Sequence, residues 1–344
     1  MLTPRDIEAT LEAIEAAQAP DGCIPWYEGG HADPWDHVEC AMALDLGGRH
    51  DAVARAYEWL QKTQNADGSF AFYYRDGSVE DPKLDANHST YLATGIWHHF
   101  CLTGDTGFLE ETWPMVERAI DFALDLQQPG GEITWMRLPD GTLGDYALLT
   151  SSSCVHLSLR CAIAIAEQLG HERPDWELSL GSLAHAVAHR PEAFEPKDRF
   201  SMDWYYPVLG GVLTGATART RLVERWPTFV VPGRGVRCVA DQPWVTAAET
   251  AEAVIAMALA GMEREARALF GWVQYLRADD GSYWTGHNYV EDAHYPPGER
   301  TTWTGAAVVL AHDVLYGTGP TRDILAGRGL PVGLDVEETE HVAD

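Results

Sequence analysis

The feature that most constrains this chain is a helix stop that occurs four times. Each copy ends an apolar helical pattern with a polar residue and a glycine, and an aromatic residue follows three or four positions after the glycine. The copies run from Gln18 to Trp26, from Gln64 to Phe72, from Gln127 to Trp135 and from Arg277 to Trp284. Glycine just past a helix adopts the left-handed conformation that lets the chain turn back. A stop that recurs in this way predicts an architecture of repeated helical units.

The spacing of the copies predicts a ring of helical hairpins. Their glycines lie at positions 22, 68, 131 and 281, so the gaps are 46, 63 and 150 residues. A unit of roughly fifty residues fits one helical hairpin with its loops, and about six units fill the chain. We therefore expect one all-α domain over residues 1–330, an (α/α)6 toroid, with an open solenoid as the alternative. Apolar residues recur at helical spacings in the stretches Ile7–Ala17, His37–Leu46, His88–Leu102, Trp113–Leu126, Cys154–Leu169, Ala247–Ala260, Glu263–Leu276 and Thr302–Leu315.

Alternating strand patterns are scarce outside these helices. Phe229–Val239 is the best strand candidate, and Tyr73–Lys83 is predicted to be a polar loop. Residues 331–344 are predicted to be a mobile acidic tail.

Net charge argues against two classes of partner, and the cysteines indicate the redox state of the chain. The formal net charge of −28 makes nucleic acid or an anionic membrane a poor partner. The six cysteines form no Cys-x-x-Cys pair, so we expect reduced core cysteines rather than disulfides.

With no signal peptide and no apolar run long enough to span a membrane, a cytoplasmic location is expected. No cofactor is predicted, and no metal site either, because adjacent His98 and His99 face different sides of a helix. The sequence leaves the oligomeric state open.

Two resemblances to known families follow from these motifs. The helix stop Gln64-Asn65-Ala66-Asp67-Gly68-Ser69 and its aromatic resembles the repeat of squalene and hopene cyclases and of protein prenyltransferase β subunits, which are α/α toroids. The stretch from Asp85 to Pro114, with its Thr-Gly-Asp turn at 103–105, resembles six-hairpin glycosidases of the glucoamylase type. The helix entry Thr302-Trp303-Thr304 is similar to the last inner helix of glucoamylases, and to a helix of terpenoid cyclases.

The glucoamylase resemblance implies paired catalytic carboxylates. Asp145 stands in the loop where glucoamylases carry their general acid, although the Trp that precedes that acid is missing here. Glu291 and Glu299 stand in the loop before the last inner helix, where the catalytic base lies. Asp203 is a further catalytic candidate, because its aromatic neighbours would desolvate the carboxyl and raise its pKa. Inverting hydrolysis needs one carboxylic acid and one carboxylate about 6.5–9.5 Å apart.

Aromatic and polar residues near the predicted loops are candidates for binding a sugar. Tryptophan side chains would stack on sugar rings, and carboxylates and histidines would bond hydroxyl groups. The predicted substrate-binding residues are Trp35, Asp36, His37, Asp85, His88, Trp135, Trp204, Tyr205, Trp284, His287 and Trp303.

Three functions remain open at this stage. A glycoside hydrolase acting on a small-molecule or oligosaccharide substrate is the favoured interpretation. A terpenoid cyclase or prenyltransferase acting on an isoprenoid is the first alternative, although the chain has no Asp-x-Asp-Asp acid motif. A non-catalytic toroid that binds a glycan or a protein is the second, since fold alone does not decide chemistry.

Overall fold

Six helical segments line the inside of a ring in the computed structural model, which describes residues 2–333 of the chain. The inner segments are α2 (Pro34–Leu46), α4 (Ala86–Thr90) with its continuation α5 (Leu92–Thr103), α7 (Leu149–Leu169), α9 (Met202–Leu209), α11 (Ala247–Leu259) and α13 (Thr302–Tyr316). The outer helices are α1 (Pro4–Ala17), α3 (His50–Thr63), α6 (Thr106–Leu124), α8 (Pro174–His189), α10 (Gly215–Phe229) and α12 (Glu263–Trp272), and a short α14 (Thr321–Leu325) follows. The predicted (α/α)6 toroid is confirmed.

The inner helices form a closed circle rather than an open array. Helix α2 packs against α5, α5 against α7, α7 against α9, α9 against α11, α11 against α13, and α13 against α2. Hydrogen bonds join the two ends of the chain at the seam: Thr302 donates its hydroxyl to the carbonyl oxygen of Pro25 at 2.7 Å, and Thr10 donates to that of Gly281 at 2.8 Å. The open-solenoid alternative is therefore wrong.

The repeated helix stop is a clamp between neighbouring hairpins. The side-chain amide of Gln64 donates to the carbonyl oxygens of Gly68, at 3.0 Å, and of Met115 on the next outer helix, at 2.9 Å. Gly68 has φ +89°, and a Cβ there would lie 2.0 Å from the carbonyl oxygen of Arg118. Only glycine therefore allows this approach. The other three repeat glycines approach outer helices in the same way, Gly22 at Arg55, Gly131 at Ser182 and Gly281 at Ala9.

The core lies between the two rings of helices. Small and branched side chains of the inner helices pack against apolar faces of the outer ones. Helix α7 is, within residues 2–333, the one helix long and apolar enough to cross a membrane by length and composition, and it is almost wholly buried inside the toroid.

Two small antiparallel sheets lie in the loops that precede inner helices. The first contains β1 (Ala71–Arg75), β2 (Ser78–Asp85) and β3 (Met136–Arg137), and the second contains β4 (Val230–Val231), β5 (Gly235–Arg237), β6 (Trp244–Thr246), β7 (Gly286–Asn288) and β8 (Ala293–His294). Strands β4 and β5 confirm the strand prediction for Phe229–Val239. The polar-loop prediction for Tyr73–Lys83 is wrong, because β1 and β2 pair as a hairpin around Asp76 and Gly77.

The chain stays packed beyond α14. Arg160, on inner helix α7, donates from Nε to the carbonyl oxygen of Pro331 at 2.7 Å, and from a terminal nitrogen to Gly327 at 3.0 Å. The first residue of the predicted tail thus contacts the toroid, and positions 334–344 lie outside the described residues.

Candidate active site

The N-terminal ends of four inner helices meet at one cleft. Its volume is about 320 Å³. Trp35 of α2, His88 of α4, Ser151 of α7 and Asp203 of α9 all line it, together with Phe72, Asp85, Asn87, Trp135, Leu148, Thr150, Lys197, Phe200 and Met202. Helix N-termini carry partial positive charge, so this end of the ring favours carboxylates and other electron-rich groups.

Four carboxyl groups lie on two inner helices that flank α13. None of them is part of the cleft lining, but Trp35, which is, contacts Tyr91 and Tyr206, and these two tyrosines bond two of the carboxyl groups. Asp36 and Glu39 lie three residues apart on α2, and Glu249 and Glu252 repeat that spacing on α11, so each pair lies on one helix face. Glu39, Glu249 and Glu252 are 6%, 7% and 7% exposed. Asp36 is partly exposed. The four groups form an acidic cluster that stays in contact with solvent through Asp36.

Burial and mutual repulsion raise the pKa of three of these groups. Burial raises the pKa of Asp36 well above its ordinary value, and the neighbouring carboxylates of Asp33, Glu39 and Glu252 raise it further. Burial raises the pKa of Glu39 to about 7, against the lowering effect of a hydrogen bond from Tyr91. The pKa of Glu252 is also raised, by burial and then by the charge of Glu39. A carboxyl group with a raised pKa keeps its proton to a higher pH than an ordinary carboxyl group does and can donate it.

Tyrosine hydroxyls fix the inner members of the cluster. Tyr205 and Tyr206 of α9 donate to the two different carboxylate oxygens of Glu252. Tyr91, between α4 and α5, donates to Oε1 of Glu39 at 3.3 Å. These bonds hold Glu39 and Glu252 in place below Asp36 and Glu249.

Several buried polar atoms at the inner-helix N-termini have no hydrogen-bond partner within residues 2–333. They are Asn87 Oδ1, His88 Nδ1, Ser151 Oγ, Thr246 Oγ1, Glu249 Oε2 and Trp303 Nε1. Buried polar groups in proteins are almost always hydrogen-bonded, so a cluster of unpaired ones indicates a site that receives a polar ligand. The set contains both donors and acceptors, and a hydroxyl group can bond to either.

Of the four predicted catalytic residues, Asp203 alone lines the cleft. Its Oδ1 accepts a hydrogen bond from Thr150 at 3.0 Å. Burial raises its pKa, as the aromatic neighbours predicted. Asp145 and Glu291 are exposed, and Glu299 is half-buried in the loop before α13; none of these three is part of the cleft lining.

Six of the predicted substrate-binding residues lie at the mouth of the ring. Trp35, Asp85, His88 and Trp135 line the cleft. Asp36 belongs to the acidic cluster, and the unpaired indole N–H of Trp303 lies at the start of α13.

Three other predicted substrate-binding residues belong to the core. His37 is fully buried, with Nδ1 accepting from the Ile24 amide and Nε2 donating to the Ala56 carbonyl oxygen, both at 3.0 Å. Trp204 stacks on Phe229 with ring centroids 5.4 Å apart. Tyr205 is buried against Glu252. Packing buries these three side chains almost completely, which argues against contact with substrate, and their predicted role in binding stays a prediction.

The last two predicted substrate-binding residues lie in the second sheet region. His287 of β7 contacts Asp292, with Nε2 and Oδ1 3.2 Å apart. Trp284 stacks on His294 at a centroid distance of 3.9 Å. Neither lines the cleft.

The residues predicted to act in catalysis or substrate binding did not include Glu39, Glu249 or Glu252. The sequence of α11 did indicate a site, because Glu249 and Glu252 lie three residues apart on an otherwise apolar, alanine-rich helix. Burying two carboxylates in this way is costly unless they have a function. As to metals, His, Cys, Asp and Glu form no group of three or more able to hold an ion in the described part of the chain.

Comparison with known proteins identifies the class of chemistry. The chain is 51% identical over 337 residues to the MMP endo-(1,4)-3-O-methyl-alpha-D-mannosidase of Mycolicibacterium hassiacum, covering 98% of this chain and 93% of that protein. No family model matches the chain.

Solved structures share the fold at low sequence identity. A glycosidase variant in complex with glucose matches with a TM-score of 0.67 and 15% identity, over 91% of this chain and 98% of that one. A D-mannose isomerase matches with a TM-score of 0.63 and 12% identity, over 90% of this chain and 97% of that one. The glycosidase resemblance seen in the sequence is confirmed, whereas the resemblance to squalene cyclases and prenyltransferases stays a prediction.

Proposed function

Because the chain belongs to the family of the M. hassiacum MMP endo-(1,4)-3-O-methyl-alpha-D-mannosidase and is a glycoside hydrolase, we propose that it cleaves internal α-(1,4) bonds between 3-O-methylmannose units of an oligosaccharide. The observation that carries this proposal is the acidic cluster, which Tyr91 and Tyr206 connect to Trp35 of a cleft with unpaired polar groups. Hydrolysis of a glycosidic bond needs a proton donor for the leaving oxygen and a second carboxylate near the anomeric carbon.

Asp36 is the proposed general acid. It is the member of the cluster with the most solvent contact, so substrate can reach it. Its raised pKa keeps it protonated at a pH where an ordinary aspartate is ionised. The proton would pass from the Asp36 carboxyl to the glycosidic oxygen as the bond to the anomeric carbon breaks.

Glu249 is the proposed partner carboxylate. It stands at the first turn of α11, and its Oε2 is buried without a partner among the described residues. That free oxygen suits a group that must contact either the attacking water or the anomeric carbon. Glu252, whose two oxygens are occupied by tyrosine hydroxyls, is less suited to this role.

Asp203 is proposed to orient the substrate rather than to transfer a proton. It lines the cleft with Asp85 and His88, where hydroxyl groups of a sugar would meet them. Asp145, Glu291 and Glu299 are assigned no part in the reaction.

The test is hydrolysis of an α-(1,4)-linked 3-O-methylmannose oligosaccharide, followed by the size of the products. Internal cleavage gives fragments of intermediate length from the first turnover. We expect Asp36→Asn and Glu249→Gln to lower kcat/KM by about 10²–10⁴-fold while the fold is retained. Asp145→Asn and Glu299→Gln are the matched controls and should change kcat/KM by less than about twofold. A hundredfold loss in a control with full activity in Asp36→Asn would overturn the assignment.

A cytoplasmic place of action is also proposed. All six cysteines are free, and Cys40, Cys154 and Cys161 are buried in the inner ring. Proteins of oxidising compartments commonly convert such thiols to disulfides. Thiol labelling of the protein in freshly lysed cells should find all six reduced, and a disulfide in that sample would contradict the proposal.

A further inference from the structure

We infer that the five large apolar residues of the cleft lining, Phe72, Trp135, Leu148, Phe200 and Met202, receive the methyl ether groups of the substrate. We call these five residues the methyl wall. The inference rests on the proposed function and deepens it, because it names the residues that would distinguish a methylated sugar from an unmethylated one.

The methyl wall is assembled from four loops and helix starts. Phe72 lies on β1, Trp135 directly precedes β3, Leu148 precedes α7, and Phe200 and Met202 stand at the start of α9. Each side chain is partly exposed, and each lines the cleft. The wall is thus an accessible apolar surface inside a site that is otherwise rich in carboxylates.

The two aromatic residues of the wall contact each other and Lys83. Phe72 and Trp135 meet edge to face, with centroids 6.1 Å apart. The ammonium group of Lys83 lies 4.7 Å from the centroid of Phe72 and 5.7 Å from that of Trp135. Phe72 also stacks on His88 at 4.6 Å, which joins the wall to the polar side of the cleft.

The polar side carries the groups that hydroxyls need. Asp85, Asn87, His88, Ser151 and Asp203 line the same cleft. Unpaired buried atoms on Asn87, His88 and Ser151 lie there. A sugar in this cleft therefore meets both hydrogen-bonding groups and hydrocarbon.

Stacking against a sugar ring does not account for the whole wall. A stacked sugar needs the flat face of an aromatic ring, and Leu148 and Met202 have none. Aliphatic side chains of this kind fit a methyl group, and methionine adapts its shape to the group it contacts. A free hydroxyl in the same place would lose its hydrogen bond to water without a replacement. The wall should therefore favour the ether over the alcohol.

The expected discrimination follows from apolar pockets in other enzymes. One additional methylene in a hydrophobic pocket changes kcat/KM by about 10–200-fold. We expect wild-type protein to cleave an α-(1,4)-mannose oligosaccharide carrying 3-O-methyl groups at least about tenfold faster, in kcat/KM, than the unmethylated oligosaccharide of equal length.

The decisive variant is Met202→Gln, which keeps the length of the side chain and adds a polar amide. It should lower kcat/KM for the methylated substrate by about tenfold more than for the unmethylated one, so the ratio moves toward one. Leu178→Gln makes the same kind of change at an exposed site on outer helix α8 and should leave the ratio unaltered. A Leu148→Gln variant gives a second probe in case Met202→Gln unfolds, which thermal unfolding reports.

The outcomes separate the inference from the proposed function. Equal cleavage of both substrates by wild type, or a ratio unchanged in both wall variants, would overturn the inference and leave the mannosidase activity standing. If neither substrate is cleaved, the proposed function fails, and calorimetric binding of the two oligosaccharides then tests the wall. Tighter binding of the methylated one, lost in Met202→Gln, supports the inference, and equal binding overturns it.

Discussion

Tyr91 donates its hydroxyl hydrogen to Oε1 of Glu39 at 3.3 Å inside the ring. Burial nevertheless raises the pKa of Glu39 from 4.5 to about 7. The hydrogen bond from Tyr91 lowers this pKa, and the charge of Asp33 raises it. The folded protein thus holds a proton on Glu39 at a pH where the unfolded chain has released it. Glu39 therefore links stability to pH in the direction opposite to that of an ion-paired surface carboxylate.

Glu39→Gln is predicted to become more stable than wild type as the pH rises. Glu39 favours the fold below pH about 4.5, and that contribution is lost as the pH rises through about 7. The free energy of unfolding of wild type should fall, relative to that of Glu39→Gln, by up to about 1.4 kcal/mol per pH unit in this window. Urea unfolding at pH 5 and pH 7.5 measures the difference. Glu110→Gln, at an exposed site on α6, is the control, and an equal pH response in both variants would contradict the prediction.

Gly68→Ala is predicted to destabilise the ring strongly. The new Cβ would lie 2.0 Å from the carbonyl oxygen of Arg118, at φ +89°, and the carbonyl cannot move without shifting α6. We expect a loss of at least about 3 kcal/mol in the free energy of unfolding. Gly77→Ala is the matched control, because Gly77 also has positive φ (+71°) but meets no described atom within 4 Å, and it should cost only roughly 1 kcal/mol. Similar losses at both glycines would show that strain alone, and not the clamp, sets the cost.

His37→Ala is predicted to reduce stability without changing the reaction. The substitution leaves the Ile24 amide and the Ala56 carbonyl unpaired, which should cost about 2 kcal/mol or more. Burial lowers the pKa of His37 to about 4, so its neutral ring supports the fold above pH 6.5, and this support is lost as the pH falls through about 4. The variant should therefore lose less stability than wild type between pH 6.5 and 4. His189→Ala, on the surface of α8, is the control, and a raised KM in folded His37→Ala would restore a role in binding.

The repeat made the fold predictable because each copy encodes one contact. In three copies a glutamine and a glycine at fixed spacing join one hairpin to the next, as Gln64 and Gly68 do, and Arg277 replaces the glutamine in the fourth. This geometry needs no information from distant sequence. The hairpins of α8, α10 and α12 lie in the gap of 150 residues between Gly131 and Gly281. The number of hairpins in this segment could be inferred only from its length, because no copy of the helix stop occurs between Gly131 and Gly281.

The β1–β2 hairpin was not predicted, although the sequence contains the Asp-Gly pair that is typical of its turn. Asp76 and Gly77 have φ of +49° and +71°, as an Asp-Gly hairpin turn requires. The flanking strand β2 is exposed along most of its length, so its residues lack the apolar alternation that identifies a half-buried strand. The residues of the turn therefore predict this hairpin, whereas the hydrophobic pattern of its strands does not.

The acidic cluster was hard to predict because it depends on ring order. Loops before the helices drew attention to Asp145, Glu291 and Glu299, whereas Glu249 and Glu252 lie inside a helix that reads as core. The carboxyl groups of Asp36 and Glu252 influence each other only because α2 and α11 both pack on α13. Closure of the circle is a long-range property, and no local pattern near either residue reports it.

Glu39→Gln is also predicted to move the pH dependence of activity. If Asp36 donates the proton, the alkaline limb of kcat/KM reports its pKa, which burial and then the charges of Asp33 and Glu39 raise. Replacing Glu39 with a neutral amide removes one of these charges, so the pKa of Asp36 falls and the alkaline limb moves to lower pH. The profile of kcat/KM on a methylated oligosaccharide between pH 4 and 9 measures this, with Glu110→Gln as the control. A limb that stays in place, or moves to higher pH, would mean that the charge on Glu39 does not act on the proton donor, and Asp36 would lose its assignment as the acid.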